Sequence, residues 1–136
     1  MNAPIEENLK PVKCVGMESV MMAPDLTIDH VLQARERINP HIHNTPILTS
    51  TYLNDQIGAE LFFKCENFQK AGAFKVRGAC NSVFGLTDED AVSGVATHSS
   101  GNHALSLSYA AGRRGIPCHV VMPKTAPQAK KDAVLG

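Results

Sequence analysis

Apolar positions follow two spacings along this chain, and each spacing predicts an element. Ile28, Val31, Leu32 and Ile38, together with Arg35, recur at steps of three and four, which predicts a helix. Thr27 suits its N-cap, and Pro40 follows the last periodic position and should stop it. Residues 45–48 (TPIL) read as extended, because the residue before a proline is pushed out of the helical region. Residues 61–66 (LFFKCE) form a short apolar run that predicts a buried strand, and a polar, glycine-containing loop follows over 67–72. Phe74, Gly78, Ala79, Val83 and Phe84 then predict a helix. Residues 92–97 predict a second strand, 98–102 a tight polar turn, and 103–114 a helix ended by Gly115 and Pro117. Residues 118–122 predict a third strand, stopped by Pro123, and 127–135 a last helix.

Strands and helices that alternate through short loops imply an α/β fold, with a parallel sheet flanked by helices. The folded region is expected over residues 26–136. Residues 1–25 carry Pro4, Pro11, Gly16 and Pro24 and hold no apolar period, so they are expected to form an N-terminal extension, poorly ordered. A parallel α/β sheet usually needs more strands than 136 residues supply here, so the chain reads as incomplete.

Charge and composition narrow the function. Thirteen Lys and Arg balance thirteen Asp and Glu, so a nucleic-acid partner, which needs excess cation, is not expected. Aromatics are 5% with no Trp, which disfavours a base-stacking surface. No apolar run reaches the roughly 18 residues of a membrane span. The acidic start of the chain is unlike a secretory signal. Cys14, Cys65, Cys80 and Cys118 show no metal-ligand spacing and read as reduced thiols of a cytoplasmic protein. His41-x-His43 lacks a third ligand, so no metal site is expected. His119 reads as a packed or edge strand residue.

Two segments could carry chemistry. Ser99, Ser100, Gly101, Asn102 and His103 lie between a strand and a helix start. Such a junction offers free backbone N–H groups and the positive end of a helix dipole, which suits a carboxylate or phosphate. The plainer reading is that Ser99 or Ser100 only caps the helix. The second segment is 67–79. Lys75 stands between Phe74 and Val76 amid small residues; an apolar niche would lower its pKa and make it an amine nucleophile. The plainer reading is that Lys70, Lys75 and Arg77 are solvated helix charges.

Residues 64–79 (KCENFQKAGAFKVRGA) resemble the pyridoxal-phosphate attachment segment of the serine/threonine dehydratase and serine racemase family, and 96–103 (ATHSSGNH) resemble its asparagine loop. Residues 116–127 (IPCHVVMPKTAP), followed by Lys130 and Lys131, are similar to the next characteristic stretch. The resemblance runs from about Thr27 to the end. It implies a partial type II pyridoxal-phosphate fold and a pyridoxal-phosphate-dependent ammonia-lyase of serine, threonine or 3-hydroxyaspartate. Under it, Lys75 holds the cofactor as a Schiff base, Phe74 packs beside the ring, and Asn102 bonds the 3-oxygen. Ser99, Ser100, Gly101, Asn102 and His103 grip the substrate carboxylate. Lys75 moves the α-proton on one face, and Ser100 is the acid/base of a racemase on the other. Loss of the β-hydroxyl leads to a keto acid and ammonia.

Ser100, where biosynthetic threonine dehydratases commonly have alanine, leans toward the racemase and hydroxyaspartate dehydratase branch. Ser50, Thr51, Tyr52 and Lys70 match positions of a nucleotide effector site, although Leu105 stands where relatives often carry glutamine. The resemblance further implies ATP and a divalent metal as effectors, and a homodimer, for a full-length protein. The glycine-rich phosphate loop, the partner of the pyridine nitrogen and the metal carboxylates of the family are missing here. Little activity is therefore expected of this polypeptide alone, and an uncovered apolar sheet edge should favour aggregation. The rival expectation is a non-catalytic remnant or a small anion-binding α/β module.

Overall fold

A computed structural model describes residues 25–135, and the expected extension lies almost wholly outside the described residues. Helix α1 (Ile28–Ile38) begins at Thr27, whose N–H donates to His30 Nδ1 at 3.2 Å, and gives way to a 3-10 turn, Asn39–His41, that contains Pro40. Strand β1 (Ile47–Leu48) follows the Thr45-Pro46 step, and α2 (Thr51–Ile57) comes next, a helix that the apolar spacing did not reveal. Its signal is the cap: Ser50 Oγ accepts the Leu53 N–H, and Gly58 closes the helix in the left-handed region.

Strand β2 is only Phe63–Lys64 and pairs antiparallel with β1, through Ile47 opposite Lys64 and Leu48 opposite Phe63. The buried strand expected over 61–66 is thereby corrected. A strand is buried only if layers cover it, and here Phe62 and Phe63 stay exposed on a two-stranded ribbon. Two 3-10 turns, Glu66–Phe68 and Lys70–Gly72, lead into α3 (Lys75–Phe84). A short α4 (Asp88–Val92) is capped by Thr87, whose Oγ accepts the Asp90 N–H. Strand β3 is therefore Val95–His98, later than the expected 92–97, because Val92 is drawn into that helix. Helix α5 (Asn102–Arg114), strand β4 (Cys118–Val121) and α6 (Gln128–Leu135) complete the order.

The core lies between α3 and α5. Val76, Ala79, Cys80 and Val83 fall at helical spacing on α3, and Ala104, Leu107, Ala110 and Ala111 answer from α5. Most of these are small, which lets the two helices approach closely, and Ile38 closes one end. Tyr109 Oη donates to the His41 carbonyl at 2.7 Å, and the His41 ring stacks on Phe84 at 3.6 Å, tying the end of α1 to this core.

Strands β3 and β4 pair in parallel, from Val95 opposite Cys118 to His98 opposite Val121, with α5 as the connection between them. This is the α/β unit that the alternation predicted. Its sheet is covered on one face: Val95, Thr97, Cys118 and Val120 are half-buried, whereas Ala96, His98, His119 and Val121 are exposed. The ladder starts at Gly94. Its φ is +74°, and a Cβ there would sit 2.4 Å from the Pro117 carbonyl oxygen that accepts the Val95 N–H. Only glycine admits that approach.

Candidate active site

Lys75 is the first residue of α3, and the chain before it is under strain. Ala71 has φ +56° and Gly72 φ +64°, so two consecutive residues are left-handed. The alanine costs on the order of 1–2 kcal/mol. Side-chain bonds hold this turn in place. The Gln69 amide, 4% exposed, accepts the His43 N–H at 2.7 Å and the Lys70 N–H at 2.9 Å, and donates to the His43 carbonyl at 2.8 Å. The Glu66 carboxylate receives Arg77 in a two-pronged pair at 2.7 and 2.8 Å, and the Thr45 hydroxyl at 2.6 Å. These Arg77 bonds, with help from Thr45 and Lys64, hold the Glu66 carboxyl down to about 2 against the cost of burial. The same bonds raise Arg77.

A cavity of about 670 Å³ opens between α3, β3 and α5; Phe74, Lys75, Gly78, Val95, Ala96 and His103 are among its lining residues. The structure therefore brings Lys75 and Phe74 to the same space as His103. It does not give Lys75 the water-shielded niche expected of it. Lys75 is exposed, Phe74 is 62% exposed with its ring 5.9 Å from Nζ, and only Val76 turns inward to the core. The reason is geometric. Neighbours on a helix point in different directions, so Val76 packs against α5 while Phe74 and Lys75 face the open cavity.

The bend is built differently. Ser99 N–H donates to the Val121 carbonyl at 3.1 Å, which extends the ladder by one bond. Ser99 Oγ accepts the Gly101 N–H at 3.3 Å. The N-cap of α5 is Gly101, and no side chain caps the helix. The plainer reading of Ser99 or Ser100 as a helix cap is thus corrected, because the chain enters α5 through Gly101 and places both hydroxyls outside capping position. The N–H groups of Asn102, His103 and Ala104 start the helix without intrahelical acceptors. Ser99, Ser100 and Gly101 are half-buried and Asn102 is exposed; of the five bend residues, His103 alone lines the cavity.

Other expected positions find structural work. Ser50 caps α2, Thr51 and exposed Tyr52 begin it, and Lys70 opens the strained turn. His43 Nδ1 faces the Phe68 carbonyl at 3.0 Å, and His41 stacks on Phe84, so the two histidines serve separate contacts. Burial and Arg113 keep His41 below its usual pKa. Cys65, Cys80 and Cys118 are free thiols. Among the described residues no helix is long and apolar enough to cross a membrane.

Sequence reasoning missed Glu66, Thr45 and Gln69, and took Arg77 for a solvated charge. The only local signal was a carboxylate and a guanidinium flanking the lysine segment. Thr45 lies 21 residues from Glu66 in the chain, and nothing local announces that contact.

The cavity presents a primary amine, an aromatic face and His103, which comes from the uncapped start of α5 just after two hydroxyls and an amide. That donor set fits an aldehyde cofactor with a flat ring and an amino-acid carboxylate. Comparison with known proteins agrees. The chain is 71% identical over 108 residues to β-hydroxyaspartate dehydratase of Paracoccus denitrificans, covering 79% of this chain and 34% of that protein. It is 53% identical over 119 residues to a serine racemase of Oryza sativa, covering 88% of this chain and 34% of that protein. The crystal structure of serine racemase from Dictyostelium discoideum superposes with a TM-score of 0.79 at 50% identity, over 82% of this chain and 36% of that one. The chain thus spans about a third of the length of the curated relatives it matches. The profile described as pyridoxal-phosphate dependent enzyme matches residues 38–135, and on that match the chain belongs to the pyridoxal-phosphate dependent enzyme family.

Proposed function

We propose that this chain carries the lysine and the substrate-carboxylate bend of a pyridoxal-phosphate-dependent ammonia-lyase. Its substrate is a hydroxy amino acid, with 3-hydroxyaspartate first and serine or threonine next. The observation that carries the reading is the shared cavity: Lys75 at the start of α3 and Phe74 just before it line the same space as His103 from the first turn of α5. The 71% identity to a β-hydroxyaspartate dehydratase supports the choice of substrate.

When bound, the cofactor supplies the electron sink that makes the α-proton removable. The residues of the chain do the rest. Lys75 Nζ would hold the cofactor covalently, and as a free amine it would take the α-proton on its own face. Phe74 would pack against the ring, and the Asn102 amide would hold the 3-oxygen. Ser99, Ser100, Gly101, Asn102 and His103 bind the substrate carboxylate with backbone N–H groups and short polar side chains, at the positive end of α5. The Ser100 hydroxyl holds the proton on the opposite face and adds a racemase outcome. Loss of the β-hydroxyl as water leaves an enamine, which takes a water back and releases ammonia, so the net products are a keto acid and ammonia. The full enzyme is a cytoplasmic homodimer in this reading, with ATP and a divalent metal as effectors and Ser50, Thr51, Tyr52 and Lys70 near the nucleotide. The exposure of Lys75 fits low activity of this polypeptide by itself.

Cofactor absorbance tests the proposal. Added pyridoxal phosphate should give a band near the visible edge, and borohydride should fix the label on Lys75 in preference to the other seven lysines. No band in excess cofactor would favour the remnant or anion-binding module. In a racemising full-length enzyme, Ser100→Ala should abolish racemisation and spare dehydration; surviving racemisation removes that role from Ser100.

A further inference from the structure

Lys75 is exposed at the first position of its helix, and the residues before it are in a conformation that an alanine chain does not prefer. Packing of its own side chain therefore does not set its place. The segment that carries it is instead tied by polar contacts among residues 43–45, 66–70 and 77. Glu66 joins Arg77 in the first turn of α3 to Thr45 ahead of β1, with bonds of 2.7, 2.8 and 2.6 Å. Gln69, almost fully buried, locks the backbone of His43 in both directions and takes the N–H of Lys70 as well. The left-handed pair Ala71 and Gly72 lies between Gln69 and the lysine, and Arg77 follows two residues after it.

We infer that Glu66, Arg77, Thr45 and Gln69 form a positioning device that aims Lys75 into the cavity it shares with His103. None of them need touch the cofactor. They act through the backbone of residues 66–77, holding the strained turn and the start of α3 in one arrangement. The pairing has a second consequence. Arg77 lines the same cavity, and the two-pronged bond to Glu66 cancels its charge there. The substrate carboxylate is thus left to the bend, with no competing guanidinium beside the lysine.

The inference rests on Lys75 being the cofactor lysine, and the test separates the two. The 136-residue chain is incubated with pyridoxal phosphate, reduced with borohydride, and the share of label at each lysine is read by peptide mapping. In Glu66→Gln and Arg77→Lys, the Lys75 share should fall by at least about fivefold, since small misplacements of a reacting group have large effects on rate. Glu66→Asp, which keeps the charge, should recover part of it. The double variant Glu66→Gln/Arg77→Met removes both halves of the pair, so it should regain melting temperature over the single variants. Its Lys75 share should stay low. A purely structural pair would restore both, and that result overturns the inference. So does an unchanged share in Glu66→Gln.

If the unsubstituted chain takes no label at Lys75, the cofactor reading fails by itself. Acetylation of Lys75 by dilute anhydride, without cofactor, then decides the inference: Glu66→Gln should change the Lys75 rate relative to Lys124 by at least about threefold, and equal rates overturn it. Should Glu66→Gln fail to fold, Thr45→Val leaves the ion pair intact and removes one bond. It should lower the Lys75 share by about twofold, and no change overturns the inference.

Discussion

The two walls of the cavity are held by different kinds of bond. On the lysine side, side chains do the holding: Glu66, Arg77, Thr45 and Gln69 all spend their polar groups on other parts of the chain. On the bend side the backbone does it. The β3–β4 ladder, extended by Ser99 N–H to Val121, brings the chain to Gly101, and among the described residues the only side-chain bond in the bend is from Gly101 N–H to Ser99 Oγ. The difference matches the tasks proposed for the two walls. A covalent anchor needs one fixed atom and can use up the polar groups around it. A carboxylate grip needs donors left over, so its frame must come from elsewhere.

The contrast can be broken at several points. Lys75→Ala should give the largest effect: complete loss of borohydride-fixed label with an unchanged melting temperature, because the side chain is exposed. A residual label of equal size on another lysine would show that the anchor lies elsewhere. Gly94→Ala attacks the backbone-held side. The strained φ of +74° and the approach to Pro117 should together cost at least about 2 kcal/mol in denaturant unfolding. Glu66→Gln attacks the other side and should cost about 2 kcal/mol, the usual worth of a hydrogen-bonded charge that loses its partner.

A pH scan sharpens the same comparison. The Glu66 carboxyl falls from an ordinary 4.5 to about 2 on folding, chiefly through its hydrogen bonds from Arg77. The stability it contributes is then complete above pH 4.5 and is lost as pH falls toward 2. Glu66→Gln should flatten that acid limb of the unfolding profile, and an unchanged limb would mean that other carboxylates cause it. The smallest effect belongs to the bend. Ser99→Ala, which removes one 3.3 Å bond, should change stability by less than about 0.5 kcal/mol. A larger loss would show that the hydroxyl is structural after all.

Much of this was legible along the chain. The boundaries of α1, α3, α5 and β4 follow from apolar spacing and from Thr27, Pro40, Gly115 and Pro123. Helices α2 and α4 were not, because each is under eight residues, too short to show a period, and is declared mainly by its caps, Ser50 and Thr87. The 61–66 run misled because hydrophobicity reports what a segment would gain by burial and carries no information on whether a layer is there to bury it.

By itself, the sequence determined the order of α1, α3, β3, α5, β4 and α6, the presence of a lysine segment and a hydroxyl-rich bend, and the family. These are local properties: periodicity, caps and motif chemistry lie within a few neighbouring residues. Tertiary structure decided which charges met and which side chains stayed wet. Arg77 reaches Glu66 across 11 positions and Glu66 reaches Thr45 across 21, and such contacts exist only once the chain has folded back on itself. The exposure of Lys75 was settled the same way, since burial depends on what packs opposite a residue and not on its neighbours in the chain.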